Sequence, residues 1–346
     1  MKETTRIGAD VGFGDTKVAY FDENGKLVTL VMASVYGLAA QVRNMDLGLG
    51  GPKRHRPFKF SYDGRDLLMG SDALLHSPLG ITQSQTFERI GSEEERTLLL
   101  ALLAKAKLTD VCIVTGLPVM AWERRSQLKK SWIGQHPVRI GRREMVINIR
   151  EVRTAWQPVM SLWDVALTIK DGKPFLSNGM TEEILRKGWF VVDVGHNTLD
   201  IAGVTNLTPI EQWSGGDFLG GKDLLGVLQQ HIVQRYGVSR SLSELQQSLR
   251  DGTIDIYDET VDLLPLARKA GADLAAQVVS EVSGKVKDAS RFYGIILTGG
   301  PAKVVQPAMM RAFPRNQVWT LDQLGNARGA AKWALGKGVF KCLMSN

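Results

Sequence analysis

The sequence predicts an α/β fold built as two similar halves, and three observations carry that prediction. First, two segments offset by 183 residues read as the same turn: Asp10-Val11-Gly12-Phe13-Gly14-Asp15-Thr16-Lys17 and Asp193-Val194-Gly195-His196-Asn197-Thr198-Leu199-Asp200. Second, in each half a triplet of strands is followed by alternating helices and strands, the pattern of helices laid over mixed sheets. Third, 346 residues exceed the size at which one core is usual, so two domains are the default.

The duplicated segment is the most informative. Without gaps, Asp10 falls on Asp193, Gly12 on Gly195, Val18 on Ile201 and Ala19 on Ala202. Gly14 falls on Asn197, and both types readily take a left-handed backbone. Each segment therefore predicts a strand, a tight turn opened by an acid, and a returning strand. Small residues in such a turn let consecutive backbone N–H groups converge on phosphate oxygens. Two acids facing each other across a cleft would repel, and they suit a hydrated Mg²⁺, which is usually held through one or two carboxylates plus substrate phosphates. Lys17 could reach the β/γ-phosphates as a point charge, and the Thr198 hydroxyl could add a hydrogen bond. The alternative is a pair of ordinary Asp–Gly hairpins. The pairing of the two segments favours a nucleotide held between two domains.

The remaining elements follow in order. Arg6–Val11, Thr16–Phe21 and Leu27–Met32 form a meander with Asn24-Gly25 as one turn. An irregular basic insertion spans Tyr36–Pro57, and short strands near Phe58–Tyr62 and Arg65–Met69 turn at Asp63-Gly64. Glu93–Lys107 reads as a helix capped by Ser92, with Glu residues in its first turn. Val111–Thr115 is a buried strand running into Gly116-Leu117-Pro118, and a helix with a basic face continues through Lys130. Val138–Ile149 reads as a hairpin and Pro158–Leu167 as a helix opened by proline. A polar turn at Lys170–Pro174 marks the division of the halves, near residues 165–185. In the second half the strands are Trp189–Val194, Asp200–Val204 and Pro209–Trp213. A glycine-rich loop (Ser214–Gly221) and helices over Lys222–Tyr236 and Leu242–Arg250 come next. Glu259–Ser283 reads as a long helix interrupted at Pro265, Gly294–Thr298 as a strand entering Gly299-Gly300-Pro301, and Asn326–Gly336 as a helix of small residues.

Composition narrows the function classes. Apolar residues make up 44% and charged residues 23% of the chain, as in soluble globular proteins. The longest apolar run, Leu98–Ala104, is bounded by Glu95-Arg96 and Lys105 and is too short to span a bilayer. The N-terminus enters a strand directly without a signal-peptide core, and two cysteines, Cys112 and Cys342, make no disulfide or metal framework. A cytoplasmic protein without membrane contact is expected. The net charge of +7 concentrates at Lys53-Arg54-His55-Arg56, with pairs at Arg124-Arg125, Lys129-Lys130 and Arg142-Arg143. No nucleic-acid motif accompanies them. A solvated surface or a protein contact is expected, and direct nucleic-acid binding is not.

These elements resemble the actin-like ATPase superfamily, in the family's order. Asp10–Lys17 is similar to its first phosphate loop, Trp156-Gln157-Pro158 to the connecting segment, and Asp193–Asp200 to its second phosphate loop. Ile295-Ile296-Leu297-Thr298-Gly299-Gly300-Pro301 resembles the adenosine motif and Asn326-Ala327-Arg328-Gly329-Ala330 the second connecting helix. Thr115-Gly116-Leu117-Pro118, Thr198-Leu199-Asp200-Ile201 and Asn326–Gly329 point to the plasmid-segregation (ParM-like) and archaeal branches. Two features depart from the pattern: His196 stands where Gly is frequent, and the Tyr36–Pro57 insertion has no counterpart.

The resemblance implies an actin-like (ribonuclease H-like) two-domain α/β fold with the nucleotide in the inter-domain cleft. Domain I would comprise residues 1–165 plus 315–346, with an inserted subdomain at about 33–95; domain II would be 166–314, with a helical subdomain at about 215–285. It implies ATP or GTP and Mg²⁺ as cofactors, with Asp10 and Asp193 at the metal. The phosphates and adenosine would be held by Gly12, Phe13, Gly14, Asp15, Thr16, Lys17, Gly195, His196, Asn197, Thr198, Gly216, Lys222, Gly299, Gly300 and Pro301. Gln157 would orient the attacking water, acting with Asp10 and Asp193; a cap for the helix at Pro158 is the alternative role. The implied activity is nucleotide-dependent head-to-tail polymerisation with hydrolysis, serving plasmid DNA segregation through a DNA-binding adaptor. A small-molecule kinase and a non-polymerising regulatory ATPase are the competing readings, since fold does not fix function.

Overall fold

The computed structural model describes residues 4–39, 57–77 and 81–336. Most of the basic insertion, including Lys53-Arg54-His55-Arg56, lies outside the described residues, as does Cys342. Contacts divide the chain into two compact units, residues 1–115 with 123–154 and residues 116–122 with 155–346. The sequence-based division differs at two helices: Gln157–Ala166 and Gly325–Leu335 belong by contact to the second unit. The 165–185 segment also lies inside that unit, where Leu167–Lys170 and Lys173–Leu176 form a hairpin.

The first unit is organised on a ten-stranded sheet. Its leading strands run in the order Leu27–Ala33, Asp15–Phe21, Thr5–Val11, Asp110–Leu117, Arg143–Trp156. The first three pair antiparallel and Thr5–Val11 pairs parallel with Asp110–Leu117. Turn chemistry sets the edges: Asp63 and Gly64 both take positive φ, 50° and 71°, as a two-residue hairpin of the type I′ class requires. Glu93–Lys105 is buried continuously from Thr97 to Ala104, which explains its lack of a polar stripe. Ser92 caps it, accepting from the Glu95 N–H at 3.3 Å.

The second unit repeats the plan. Its five-stranded sheet runs Thr208–Asp217, Leu199–Thr205, Gly188–Val194, Phe292–Thr298, Gln317–Thr320, again with an antiparallel triplet and a parallel fourth strand. Gly188–Val194 is buried at every position, as befits a central strand covered on both faces. Alternate residues point oppositely. Phe190, Val192, Ile295 and Leu297 join one apolar cluster with Leu224, Leu225, Val278 and Val305 from the helices. Helix Gln157–Ala166 also packs on Gly188–Val194 and on Gly325–Leu335. The two helices nearly touch at Gly329, where a Cβ would fall on the Met160 carbonyl oxygen. Asp164, buried between them, takes Arg328 at 2.7 Å and Lys332 at 2.8 Å.

Two expectations are corrected and two elements are added. Glu259–Ser283 is not one interrupted helix: Thr253–Ile256 and Glu259–Asp262 form a hairpin, followed by helices Leu264–Ala270 and Ala272–Val286. The β-branched Thr260 and Val261 pair across it, and Tyr257 turns it at φ 57°. Ser214–Asp217 is strand rather than loop. Helix Ala302–Ala312 and strand Gln317–Thr320 lie in a stretch to which the sequence reading assigns no element.

Gly329→Ala should destabilise the second unit by about 3 kcal/mol, the upper range for inserting a methyl into a packed interior. Urea denaturation would check this, and a parent-like midpoint would contradict the close helix contact.

Candidate functional site

In the first unit, strand pairing sets Asp10 opposite Lys17. Lys17 Nζ donates to Asp10 Oδ2 at 2.9 Å, and both side chains are largely buried. The Gly12 N–H donates to the Asp15 carbonyl at 3.0 Å. A Cβ on Gly12 would lie 3.1 Å from that carbonyl and 3.7 Å from Asp10 Oδ1, so the turn is small because the chain passes close to itself. Ser34 braces it, its Oγ donating to the Gly12 carbonyl at 2.6 Å and its N–H to the Gly14 carbonyl at 2.9 Å. Thr16 is tied to the same serine, hydroxyl to hydroxyl at 2.9 Å. Arg89, buried, donates from Nη2 to the Val11 carbonyl at 2.7 Å and stacks on Phe13 at 5.0 Å from the ring centre. Phe13 lies against Phe87 as well.

The second unit has the same turn in the same place. The Gly195 N–H donates to the Thr198 carbonyl at 2.8 Å, and a Cβ on Gly195 would lie 3.1 Å from that oxygen. Neither Gly14 nor Asn197 is among the described residues with positive φ, which corrects the left-handed conformation expected of them. The close approach occurs at Gly12 and Gly195 instead.

Asp193, buried, is held by two amides. Gln157 Nε2 donates to its Oδ2 at 3.0 Å and Asn326 Nδ2 to the same oxygen at 2.7 Å. Ser161 Oγ donates to Asn326 Oδ1 at 2.7 Å, which orients that amide with its NH₂ toward Asp193. Gln157 begins its helix directly against the Gly116 backbone; a Cβ on Gly116 would sit 2.5 Å from Gln157 Cα. Asp200 stands opposite Asp193 on the paired strand. It accepts from the Val119 N–H at 2.8 Å and from the Thr198 hydroxyl at 3.2 Å.

The flanking segments close around this turn. The N–H groups of Gly221 and Lys222 donate to the Gly195 and His196 carbonyls at 2.9 and 2.8 Å, so the start of helix Gly221–Tyr236 is bonded to the turn. Gly299, at φ 96°, runs so close beneath it that a Cβ would strike the Val194 carbonyl and lie 2.9 Å from Asp193 Oδ1. Gly300 is the opposite case: a Cβ there meets no atom within 4 Å. Pro301 is buried and starts helix Ala302–Ala312.

Residues 8–159 match the family described as actin like proteins N terminal domain, and residues 191–311 match archaeal actin homologue MreB-like, C-terminal. Together they span well over half of the sequence. The chain belongs to the actin-like superfamily. Among solved structures, the archaeal actin homolog Ta0583 is 19% identical with a TM-score of 0.75, over 96% of this chain and 99% of that one. The apo psk41 ParM protein is 19% identical, with a TM-score of 0.67 over 99% of both chains. A 15-stranded ParM filament from Clostridium botulinum gives 18% and 0.70, over 96% of this chain and 99% of that one. No curated protein matches the sequence. Among the described residues no helix is long and apolar enough to cross a membrane.

The actin-like fold thus gathers the sequence-derived residues into two groups. Asp10, Gly12, Phe13, Gly14, Asp15, Thr16 and Lys17 share one turn of the first unit. Gln157, Asp193, Gly195, His196, Asn197, Thr198, Lys222, Gly299 and Pro301 converge on one turn of the second. Gly216 sits beside Asp200, 3.2 Å from Cβ position to Oδ1. Arg89, Ser161 and Asn326 were missed as site residues; Asn326 lay in a noted motif, but nothing in the sequence tied its amide to Asp193. Among the described residues no three His, Cys, Asp or Glu side chains gather as a metal cage. Single carboxylates fit a cation that keeps most of its water.

Burial, and next the charge of Asp193, push the Asp200 carboxyl up to about 7, against roughly 3.9 in an unfolded chain. Between those values the folded protein holds a proton that the unfolded chain has released. Stability from this group is therefore full below about pH 4 and is lost as pH rises toward about 7. Asp200→Asn should flatten the decline in unfolding free energy over that window, measured by urea titration at several pH values. An unchanged slope would contradict the shift.

Proposed function

We propose that this protein is a nucleotide-dependent, polymerising actin-like ATPase that forms cytoskeletal filaments for plasmid DNA segregation. The observation that carries the reading is the repeated turn, with the same N–H to carbonyl bond and the same buried acid in both units. An ordinary hairpin needs no buried carboxylate. The turn amides would cradle the phosphates of ATP or GTP, and Asp10 and Asp193 would hold Mg²⁺ through its water. The cation would neutralise charge on the β- and γ-phosphates. Gln157, already beside Asp193, would orient the attacking water; an amide positions water without acting as a strong base. Lys17 would exchange part of its bond to Asp10 for the phosphates.

The filament reading draws on the ParM filament among the structural neighbours. Head-to-tail contacts that do not close produce open polymers, and bound nucleotide would bias the assembling conformation. Linkage to plasmid DNA would pass through a DNA-binding adaptor.

Sedimentation tests this directly. Purified protein at micromolar concentration should pellet after addition of Mg-ATP or Mg-GTP above a critical concentration, and a nonhydrolysable analogue should keep it pelleted. Gln157→Ala should slow hydrolysis at least about tenfold, the scale of one lost transition-state contact, with nucleotide affinity retained. Its filaments should persist longer. A protein that stays unassembled with every nucleotide while phosphorylating a small hydroxyl compound would establish a kinase instead.

Gly300→Val probes the base and ribose. Open space surrounds that position, so the variant should fold with a parent-like melting temperature yet bind nucleotide more weakly. Fluorescent-nucleotide titration checks it, and unchanged affinity would move the adenosine elsewhere.

A further inference from the structure

We propose that Asn326, set by Ser161, is the positioning residue that fixes Asp193, and that the Gln157–Asp193 hydrogen bond is a resting latch which opens when Gln157 turns to orient water. The inference rests on the ATPase reading above.

The two amides on Asp193 Oδ2 are held differently. Asn326 is 5% exposed and Ser161 fully buried, and the chain Ser161 Oγ to Asn326 Oδ1, Asn326 Nδ2 to Asp193 Oδ2 runs through two bonds of 2.7 Å. Its backbone is equally constrained. A Cβ on neighbouring Gly325 would meet Thr298 Oγ1 at 2.8 Å and Ser161 Oγ at 2.9 Å, and Gly329, one turn on, abuts the Met160 carbonyl. Rotating the Asn326 amide would break the serine bond and turn an oxygen onto a carboxylate. Such a buried mismatch costs more than the hydrogen bond itself is worth. Asn326 therefore stays.

Gln157 is held by one bond of 3.0 Å, and among the described residues its side chain has no second partner. It is half-buried and stands in the first turn of its helix. Its longer side chain can leave Asp193 without orphaning the carboxylate, because Asn326 continues to donate. The pair thus divides two tasks between amides that look alike: one keeps the carboxylate aimed, the other is released for chemistry.

The test uses full-length protein, with fluorescent ATP affinity measured in Mg²⁺ and in EDTA beside kcat and KM for hydrolysis. Asn326→Ala should lower kcat at least about tenfold and abolish most of the Mg²⁺-dependent gain in affinity while affinity in EDTA stays near the parent, even though the lost buried hydrogen bonds lower the melting temperature. Ser161→Ala should shift both quantities in the same direction, less far. In the double variant the serine change should add nothing, the signature of two residues acting through one contact. Gln157→Ala should lower kcat but keep the Mg²⁺-dependent affinity. The proposal is overturned if Asn326→Ala keeps parent kcat and Mg²⁺ gain, or if it loses affinity equally in Mg²⁺ and EDTA, as a packing residue would. It is also overturned if Gln157→Ala loses the Mg²⁺ gain as Asn326→Ala does. A parent protein that binds no nucleotide would instead remove the ATPase reading on which the proposal stands.

Discussion

Asp193 is a carboxylate buried on the central strand of the second sheet, and much of the second unit is arranged by the need to satisfy it. A buried charge is tolerated only with hydrogen-bond donors close by. Here they come from the starts of two helices, Gln157–Ala166 and Gly325–Leu335. Bringing both helix ends to one oxygen forces the helices together, which is why Gly329 must lack a side chain against Met160. The same approach buries Asp164, which is satisfied by Arg328 and Lys332. One carboxylate thus links strand register, helix crossing and an ion cluster about two turns further along helix Gln157–Ala166.

The duplication is close in backbone and unequal in charge. The position opposite the acid carries Lys17 in the first unit and Asp200 in the second. The first unit therefore neutralises its acid by an ion pair within the hairpin. The second cannot, since its partner is another carboxylate, and it recruits neutral amides from outside. Asp200 in turn is raised by burial and by Asp193, and it takes the Val119 N–H of the segment that follows Gly116-Leu117-Pro118. The Gln157 and Asn326 amides can be withdrawn from the second acid without breaking an ion pair, whereas Lys17 and Asp10 are themselves an ion pair.

Much of this was legible in the sequence because it is local. The two turns, the strand triplets, the Ser92 cap and the proline start of the helix at Gln157 each depend on residues a few positions apart. The contacts that were not legible span long separations. Asn326 meets Asp193 across 133 positions and Arg89 meets Val11 across 78; no periodicity or spacing encodes such a meeting. The hairpin at Thr253–Asp262 was hidden differently. Its strands are four residues each, and a helix-forming stretch follows so closely that the helical pattern absorbed the second strand.

Glycine shows the limit most clearly. Gly216, Gly299, Gly300 and Gly329 carry the same letter and the same permissive backbone, yet they answer to different constraints. Gly329 makes room for a helix, Gly299 for a carbonyl on the neighbouring turn, and Gly216 for the Leu199 carbonyl and, next, the Asp200 carboxylate. Gly300 makes room for no protein atom within 4 Å. A glycine needed for packing is explained once its neighbour is found. One with no neighbour, beside Gly299 and one residue before the buried Pro301, has no packing reason to lack a side chain. Its backbone also sits outside the positive-φ set, so no conformational reason substitutes for the missing one. Gly226 and Gly284 share both properties, so an open glycine by itself marks a place where a side chain would fit, and only a loss of binding on filling it would tie Gly300 to a ligand.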